Sequence, residues 1–413
     1  MSWETSLLRR LYVYLWLFKL TRFGKVLVLF GVLAASFVAW SVEILSFYLF
    51  SALFAVGFFS FLFNLMWRTR FEMRLSMPDR VVAGAFLRAV VDVRNTGRLP
   101  AYDVGVSFVL LPAGLREVTV ENYIPVLSPG ESARLFLSIH AAQRGSYRLP
   151  PLRCFSAFPL RLLRSGASRL PVGNLLVLPS FTALENINVP VSPRYQIGGV
   201  ALTANIGESP EYIGNRMFQA GDSIRRLDMR AWGRVGAPVV REYQEEYFLR
   251  LAVVLDTFVA HSTLRHPRRL SRLESAISLT AAMVDALSRG EYLLDIFAAG
   301  PELYNFRAGR GAPPFDNVLE ILSCIEPCHT NPFRVITPAL ADELGNISTV
   351  LFVFLDWDKD RREMTRIAAE CGCRTRVLVV REGNTTLPAE SDGEISLTCI
   401  TPDTLRSGGV TSL

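Results

Sequence analysis

Residues 26–67 read VLVLFGVLAASFVAWSVEILSFYLFSALFAVGFFSFLFNLMW, and Glu43 is the only charged residue in this block. A helix needs about 20 apolar residues to cross the hydrocarbon core of a bilayer, so the block has room for two spans. We predict a hairpin of two transmembrane helices, near 24–41 and 44–67. The alternative is a signal peptide with residues 26–40 as its apolar core, but no well-placed cleavage site precedes the second apolar run.

The positive charge of the chain is concentrated around this block. Residues 1–80 hold nine Lys/Arg against four Asp/Glu, which is +5 of the total +6, and the remaining 35 Lys/Arg and 34 Asp/Glu nearly cancel. Basic residues flank the hairpin on both sides and are absent from its turn, which predicts that both termini and the bulk of the chain face the cytoplasm. Residues 1–70 therefore form a membrane anchor, and the nearly neutral remainder argues against nucleic-acid binding.

The six cysteines fit a reducing compartment, because they are scattered and form no disulfide framework. Two local groups can be considered as zinc ligands: Cys324 and Cys328 with His329, and Cys371 with Cys373. Neither group has the two-residue spacing of a zinc knuckle. Ordinary buried or rim thiols are the favoured interpretation.

Residues 71–185 are rich in short stretches of high β-propensity, such as Phe86–Val93 and Ala133–Ile139. Turn sequences such as Asn95-Thr96-Gly97 and Ser128-Pro129-Gly130 separate them. Short strands at roughly ten-residue spacing with such turns predict an antiparallel β-sandwich. Nothing in this stretch looks catalytic, so it is expected to be a scaffold, a spacer or a docking module.

Residues 248–413 alternate between apolar strands and amphipathic helices. The strands are predicted at 248–255, 292–298, 349–355 and 375–380, with helices near 270–289, 314–326 and 358–371 between them. This order is typical of an α/β, Rossmann-like domain with a mainly parallel sheet covered on both faces. The chain as a whole is therefore predicted to be multidomain: a transmembrane hairpin, a sandwich and an α/β sheet.

Asp256 and Asp356 each follow a predicted strand, at the sheet edge where function gathers in such folds. Two carboxylates there can hold a divalent cation such as Mg²⁺. They can equally cap the helices that follow, which is the favoured interpretation because Phe258 and Ala260 supply no hydroxyl ligand. A metal-dependent binding or hydrolytic site built on these residues, with His261, is kept as the alternative function.

Residues 186–247 are predicted to be a linker, and they contain the most distinctive stretch of the chain. Arginines and acids alternate closely there, so bidentate guanidinium–carboxylate pairs are expected, either tying the segment down or binding an acidic partner. Gly221 and Asp222 are expected to form a turn. The candidate partner-binding residues are Arg216, Gly221, Asp222, Arg225, Asp228, Arg234, Arg241 and Glu242.

The run from Arg216 to Arg234 resembles the signature of a bacterial family of membrane proteins, the domain of unknown function fifty-eight. The order of hairpin, sandwich and signature is also similar to this family. The resemblance implies that the C-terminal sheet is a von Willebrand factor A-like domain and that the protein lies in the bacterial inner membrane. It further implies a partner, an AAA+ ATPase of the MoxR type. Of the usual metal motif of von Willebrand A domains, only Asp256 and Asp356 have counterparts here.

The sequence lacks the side-chain patterns that common classes of enzyme use for catalysis. The chain has three lysines, two of which lie beside the apolar block, and four histidines in no recognisable nucleophile–base pattern. No glycine-rich phosphate loop follows a predicted strand. We therefore expect a non-catalytic, membrane-anchored interaction protein without a cofactor, acting as an adaptor or chaperone-like partner of the ATPase.

Overall fold

The computed structural model describes residues 16, 18–40, 44–67, 69–118, 123–166, 168–190, 212–243, 249–259, 267–289, 292–299, 303–308, 315–388 and 396–413. The chain divides into two compact units. The first consists of Met1–Ser180 with Leu319–Ile325, and the second of Phe181–Val318 with Glu326–Leu413.

Two long apolar helices begin the first unit: α1, Arg22–Trp40, and α2, Ile44–Met66. Both predicted helices are therefore present. Each is long and apolar enough to cross a membrane, and few of their side chains are buried within the protein. Large residues such as Leu29, Phe37 and Phe59 are exposed along them. Apolar surface of this extent suggests a membrane anchor, since soluble monomers rarely expose it.

The base of the two helices packs on the β-rich part of the same unit. The Thr21 N–H donates to the Leu162 carbonyl oxygen at 3.1 Å, and the Trp67 indole N–H donates to the Pro100 carbonyl at 3.0 Å. Gly24 permits this approach, because a Cβ there would lie 2.2 Å from the Leu162 oxygen. The base of the helices is therefore packed against the β-rich part.

The β-rich part contains two four-stranded sheets and a three-stranded one, with strand orders β1-β3-β7-β5, β10-β9-β4-β6 and β2-β11-β8. All pairs are antiparallel except β2 with β11. The strands are β1 Phe71–Ser76, β2 Arg80–Val82, β3 Phe86–Asn95, β4 Ala101–Phe108, β5 Leu115–Glu117, β6 Ile124–Leu127, β7 Ser132–Ala141, β8 Gly145–Arg148, β9 Leu152–Ser156, β10 Arg169–Leu170 and β11 Asn174–Leu178.

Alternation of polarity builds the core of this part. Along β3 the inward residues Leu87, Ala89, Val91 and Val93 are buried, while most residues between them are exposed. Strand β7 alternates in the same way, and the two strands pair in register over their length. A period of two places one set of side chains on each face, so the prediction of a β-rich middle from this pattern is confirmed.

The second unit contains a six-stranded sheet of order β16-β15-β14-β17-β18-β19, parallel except for β16. Its strands are β14 Leu249–Leu255, β15 Tyr292–Ala299, β16 Leu303–Ala308, β17 Thr349–Phe354, β18 Arg374–Val380 and β19 Ser396–Ile400. All six residues of β17 are buried, as expected for a central strand covered on both faces. The predicted parallel sheet is therefore present.

The helices of the later part of the chain are α3 Met229–Val235, α4 Pro267–Ser288, α5 Phe315–Cys324, α6 Phe333–Glu343, α7 Lys359–Glu370 and α8 Pro402–Arg406. Helix α6, β16 and β19 were not predicted from the sequence. Strands β12, Tyr212–Met217, and β13, Val239–Tyr243, form a separate antiparallel pair inside the stretch predicted as a linker.

Candidate functional site

The signature stretch folds back on the β12–β13 pair. Met217 lies opposite Val239 in the pair, and the N–H of Asp228 donates to the Val239 carbonyl at 2.8 Å. Leu227 forms an isolated antiparallel bridge with Val240. The connection between the strands is therefore an ordered element, and its side chains have fixed positions.

A bidentate ion pair holds the first turn of this connection. Arg216 donates from both terminal nitrogens to the two Asp222 oxygens at 2.7 Å each. One of those oxygens also accepts the Gln219 N–H at 2.8 Å. These bonds, the one from Arg216 foremost, lower the pKa of Asp222 to about 2. Gly221 has φ +109°, which a side chain would strain, so glycine is required at this turn.

A second carboxylate, that of Asp228, begins helix α3. It accepts the N–H groups of Arg230 and Ala231 at 3.0 Å each, as an N-cap residue does. The Arg241 side chain donates to its other oxygen at 3.2 Å. The bond from Ala231, together with those from Arg241 and Arg230, holds the pKa of Asp228 below its ordinary value. Five of the predicted site residues thus build the scaffold of this segment: Arg216, Gly221, Asp222, Asp228 and Arg241.

Four other arginines of the segment lie on its surface. Arg225, Arg226, Arg230 and Arg234 are exposed, and none of them forms an ion pair within the described residues. Of these, Arg225 and Arg234 were predicted from the signature. Glu242 lies in β13 opposite Gly214. The structure therefore separates arginines that hold the fold from arginines that remain open to another molecule.

Exposed apolar side chains lie among these arginines, which the sequence analysis did not predict. Ile224 is 76% exposed and Met229 67% exposed, and Met217, Trp232 and Val235 are exposed as well. The sequence did contain a signal for their exposure: these apolar residues alternate with charged ones and do not recur at the helix or strand spacing that marks a core-facing side. We call Met217, Ile224–Arg226, Met229, Arg230, Trp232, Arg234 and Val235 the signature surface.

Asp256 lies at the carboxyl end of β14, where the sequence suggested a cation. Its side chain is fully buried, and one oxygen accepts the Phe258 N–H at 2.9 Å. The other carboxylate oxygen accepts the Leu355 N–H at 2.9 Å. It also accepts N–H groups from Nε and one terminal nitrogen of Arg361, at 2.8 and 2.6 Å. The guanidinium thus supplies the positive charge that this carboxylate needs, which does not fit a metal ligand set.

The charge on Arg361 is itself held by this environment. Burial disfavours the charged guanidinium, but attraction to Asp256 and Asp358 more than offsets it, so the pKa of Arg361 is raised. Asp358 also accepts the Arg361 N–H at 3.1 Å and is the N-cap of α7. The helix cap at this edge is therefore Asp358, while Asp256 and Asp356 cap no helix among the described residues.

Asp356, at the end of β17, is engaged as well. Its carboxylate accepts the Thr386 hydroxyl at 2.7 Å, the Thr386 N–H at 3.0 Å and the Trp357 N–H at 2.7 Å, and it pairs with Arg381. Burial raises the pKa of Asp356, but the hydrogen bonds from these donors lower it by more, so the net shift of the pKa is downward. Ala260 and His261 lie outside the described residues.

The cysteines are all free thiols: Cys328 and Cys373 are buried, whereas Cys324 and Cys371 are exposed. The ring of His329 lies 3.0 Å from the Val259 carbonyl oxygen through Nδ1. In the described ranges, no three His, Cys, Asp or Glu side chains are grouped so as to hold a metal ion.

Residues 214–405, which include the signature surface and the parallel sheet, match the family described as protein of unknown function DUF58. This match supports the assignment of residues 214–405 to the DUF58 family. The match begins two residues before Arg216 and ends within α8, so it covers most of the β12–β13 pair and the whole parallel sheet. No curated protein matches the chain.

Solved structures resemble short parts of the chain. The CARDB domain of a Pyrococcus furiosus protein is 16% identical over 27% of this chain and 95% of its own, with a TM-score of 0.19. Escherichia coli alpha-2-macroglobulin is 18% identical over 30% of this chain and 20% of its own, with a TM-score of 0.22. Listeria innocua beta-glucosidase is 16% identical over 26% of this chain and 16% of its own, with a TM-score of 0.16. Likenesses with scores this low do not bear on the fold or function of this protein.

Proposed function

We propose that this protein is a membrane-anchored, non-catalytic adaptor that uses its signature surface to dock a partner protein on the cytoplasmic side of the bacterial inner membrane. The observation that carries the proposal is the group of four exposed arginines without ion pairs within the described residues, set among exposed apolar side chains on an ordered scaffold. Arginine and exposed aromatic or aliphatic groups are the residues enriched in protein interfaces.

We further propose that the partner is an AAA+ ATPase of the MoxR type, as the family resemblance implies. The non-catalytic role is supported by the state of Asp256 and Asp356, whose oxygens are engaged by arginines and N–H groups. A metal-dependent site at this edge is therefore not proposed.

The docking role is tested by reversing two charges of the signature surface. The double variant Arg225→Glu, Arg234→Glu should weaken binding of the MoxR-type ATPase of the same genome by at least ~100-fold, because like charges opposed across an interface cost several kcal/mol. Binding is measured by biolayer interferometry with the full chain in nanodiscs. Both side chains are exposed, so thermal unfolding should stay within ~1 °C of wild type.

The matched control is Arg88→Glu, Arg374→Glu, which changes the net charge equally at exposed arginines outside the signature surface. It should bind within about twofold of wild type. Equal losses in the two double variants would reduce the effect to net charge and end the proposal for this surface. Arg216 is unsuitable for such a test, because its reversal removes the Asp222 pair that orders the scaffold.

The proposed orientation can be tested with the native thiols. Cys371 and Cys399 are exposed, so a membrane-impermeant maleimide should leave them unlabelled in intact spheroplasts and label them once the membrane is permeabilised. The variant Cys371→Ser, Cys399→Ser identifies the labelled sites. Labelling of these two thiols in intact spheroplasts would place this part of the chain outside and refute the orientation.

A further inference from the structure

Helix α3 turns nearly all of its surface outward. Of its seven residues only Ala231 is buried. At 100° per residue, Met229 and Gly233 lie at the centre of the outward face, with Trp232 on one side and Arg230 on the other. The most prominent face of the signature surface therefore has a glycine at its middle.

No contact among the described residues accounts for Gly233. Glycine within a helix costs about 0.5–1 kcal/mol relative to alanine. Gly233 does not have the positive φ that would require it, and apart from its chain neighbours and the backbone of its own helix, an added Cβ would meet no atom of the described residues within 4 Å. By contrast, Gly221 has a φ of +109° and Gly24 has the Leu162 carbonyl in its way. Because glycine has no side chain, helix geometry leaves bare backbone at Gly233 between the side chains of Met229, Arg230 and Trp232, and we call this position the notch.

We propose that an acidic segment of a partner polypeptide crosses α3 directly over Gly233. This inference rests on the proposed docking role of the signature surface, and it specifies the point at which the partner crosses the surface and the chemistry of the partner's contacts. The backbone of the segment occupies the notch, in contact with Met229 and Trp232. Its carboxylates pair with Arg230 and Arg234, whose planar guanidinium groups match a carboxylate in bidentate geometry.

The exposed arginines of the signature surface favour an acidic partner. Residues 212–243 contain six arginines and the acids Asp222, Asp228 and Glu242, while Glu208, Glu211, Glu245 and Glu246 of the flanking sequence lie outside the described residues. Arg216 pairs with Asp222 and Arg241 with Asp228, and the other four arginines form no ion pairs within the described residues. An interface that covered these four without supplying negative charge would bury unpaired charges at high cost.

The notch selects a polypeptide over an anionic membrane. A fluid lipid surface adapts to any side chain, so it would not require a missing Cβ at the point of contact. Helix α3 is also only about 10 Å long, which is short for a helix lying in the interface. Close approach of a polypeptide backbone to a helix is a situation in which glycine is the favoured residue.

The test is the variant Gly233→Leu, with Gly173→Leu as the matched control because a Cβ at Gly173 likewise meets nothing within 4 Å of the described residues. The probe is the MoxR-type ATPase, measured with the full chain in nanodiscs. Gly233→Leu should weaken binding at least ~30-fold without lowering the melting temperature, since leucine favours the helix, and Gly173→Leu should bind as wild type.

The outcomes separate the inference from the docking proposal. If Arg225→Glu, Arg234→Glu abolishes binding while Gly233→Leu binds as wild type, the surface docks the ATPase but the crossing over Gly233 is wrong. If the ATPase does not bind the wild-type chain, the ATPase assignment fails, and a photo-crosslinking residue at Met229 in cells decides the inference. Crosslinking to an acidic peptide of any protein supports it, and crosslinking only to lipid or to a neutral or basic peptide overturns it.

Discussion

Replacing Arg361 by methionine should destabilise the α/β sheet by about 3–5 kcal/mol, the usual cost of removing one partner of a buried ion pair. Arg361 is 3% exposed and Asp256 is fully buried. Without the guanidinium, the Asp256 carboxylate keeps the N–H groups of Leu355 and Phe258 but loses its counter-charge in a site that water does not reach. Methionine fills a similar volume, so the loss comes mainly from charge and hydrogen bonding.

The effect can be measured by hydrogen exchange of the amides of β14, which report on this sheet separately from the sandwich. Every 1.4 kcal/mol is a factor of ten, so exchange through unfolding should become more than ~100-fold faster. The control is Arg366→Met on the same helix. Arg366 pairs with Glu363 and Glu370 on the surface, so its loss should cost no more than ~1 kcal/mol. Equal effects of the two variants would contradict the assignment of Asp256 and Arg361 as a buried pair.

A second variant tests the cause of the loss. Adding Asp256→Asn to Arg361→Met removes the uncompensated charge while an amide oxygen can still accept N–H groups. The double variant should therefore recover part of the stability, which is a coupling between two contacting residues. A double variant that is less stable than Arg361→Met would show that the carboxylate does not need the guanidinium.

The sequence could predict elements whose signal is local. The unbroken apolar run of β17 and the alternation along β3 each identify a strand, and both were predicted to within a few residues. Strand β16, with sequence LYNFRA, is short and of mixed polarity, and such edge strands have no distinctive pattern. Helix α6 contains Pro338, which obscures its signal.

For the candidate sites too, the sequence predicted features with a local pattern and missed those that depend on distant parts of the chain. The alternation of charges predicted ion pairs in the signature, but only the fold shows that Arg216 is tied to Asp222 while Arg225 is open. The Asp256–Arg361 pair joins residues 105 positions apart, which no local pattern reveals. One signal was available: Arg361 shares a helix face with Met364, Thr365 and Ala368, at spacings of three, four and seven, and that face is buried.

Replacing Asn95 by alanine should destabilise the β-rich part by about 3 kcal/mol, because its three buried or partly buried hydrogen bonds contribute about 1 kcal/mol each. The Asn95 side chain is fully buried at the end of β3. Its amide nitrogen donates to the carbonyls of Leu99 and Leu127 at 2.9 Å each, and its oxygen accepts the Gly97 N–H at 2.9 Å. It thus ties the turn after β3 to the end of β6.

Hydrogen exchange of the β7 amides, which pair with β3, should become about 100-fold faster in Asn95→Ala. The control is Thr96→Ala: the Thr96 hydroxyl is exposed and donates to the Arg70 carbonyl at 3.2 Å, so its loss should cost less than ~1 kcal/mol. Asn95→Asp separates hydrogen bonding from packing, because aspartate keeps the volume and can accept the Gly97 N–H but cannot donate to the two carbonyls when ionised. It should therefore be at least as destabilising as alanine at pH 7. A near-native Asn95→Asp variant would show that the site needs the volume of the side chain rather than its two donated hydrogen bonds.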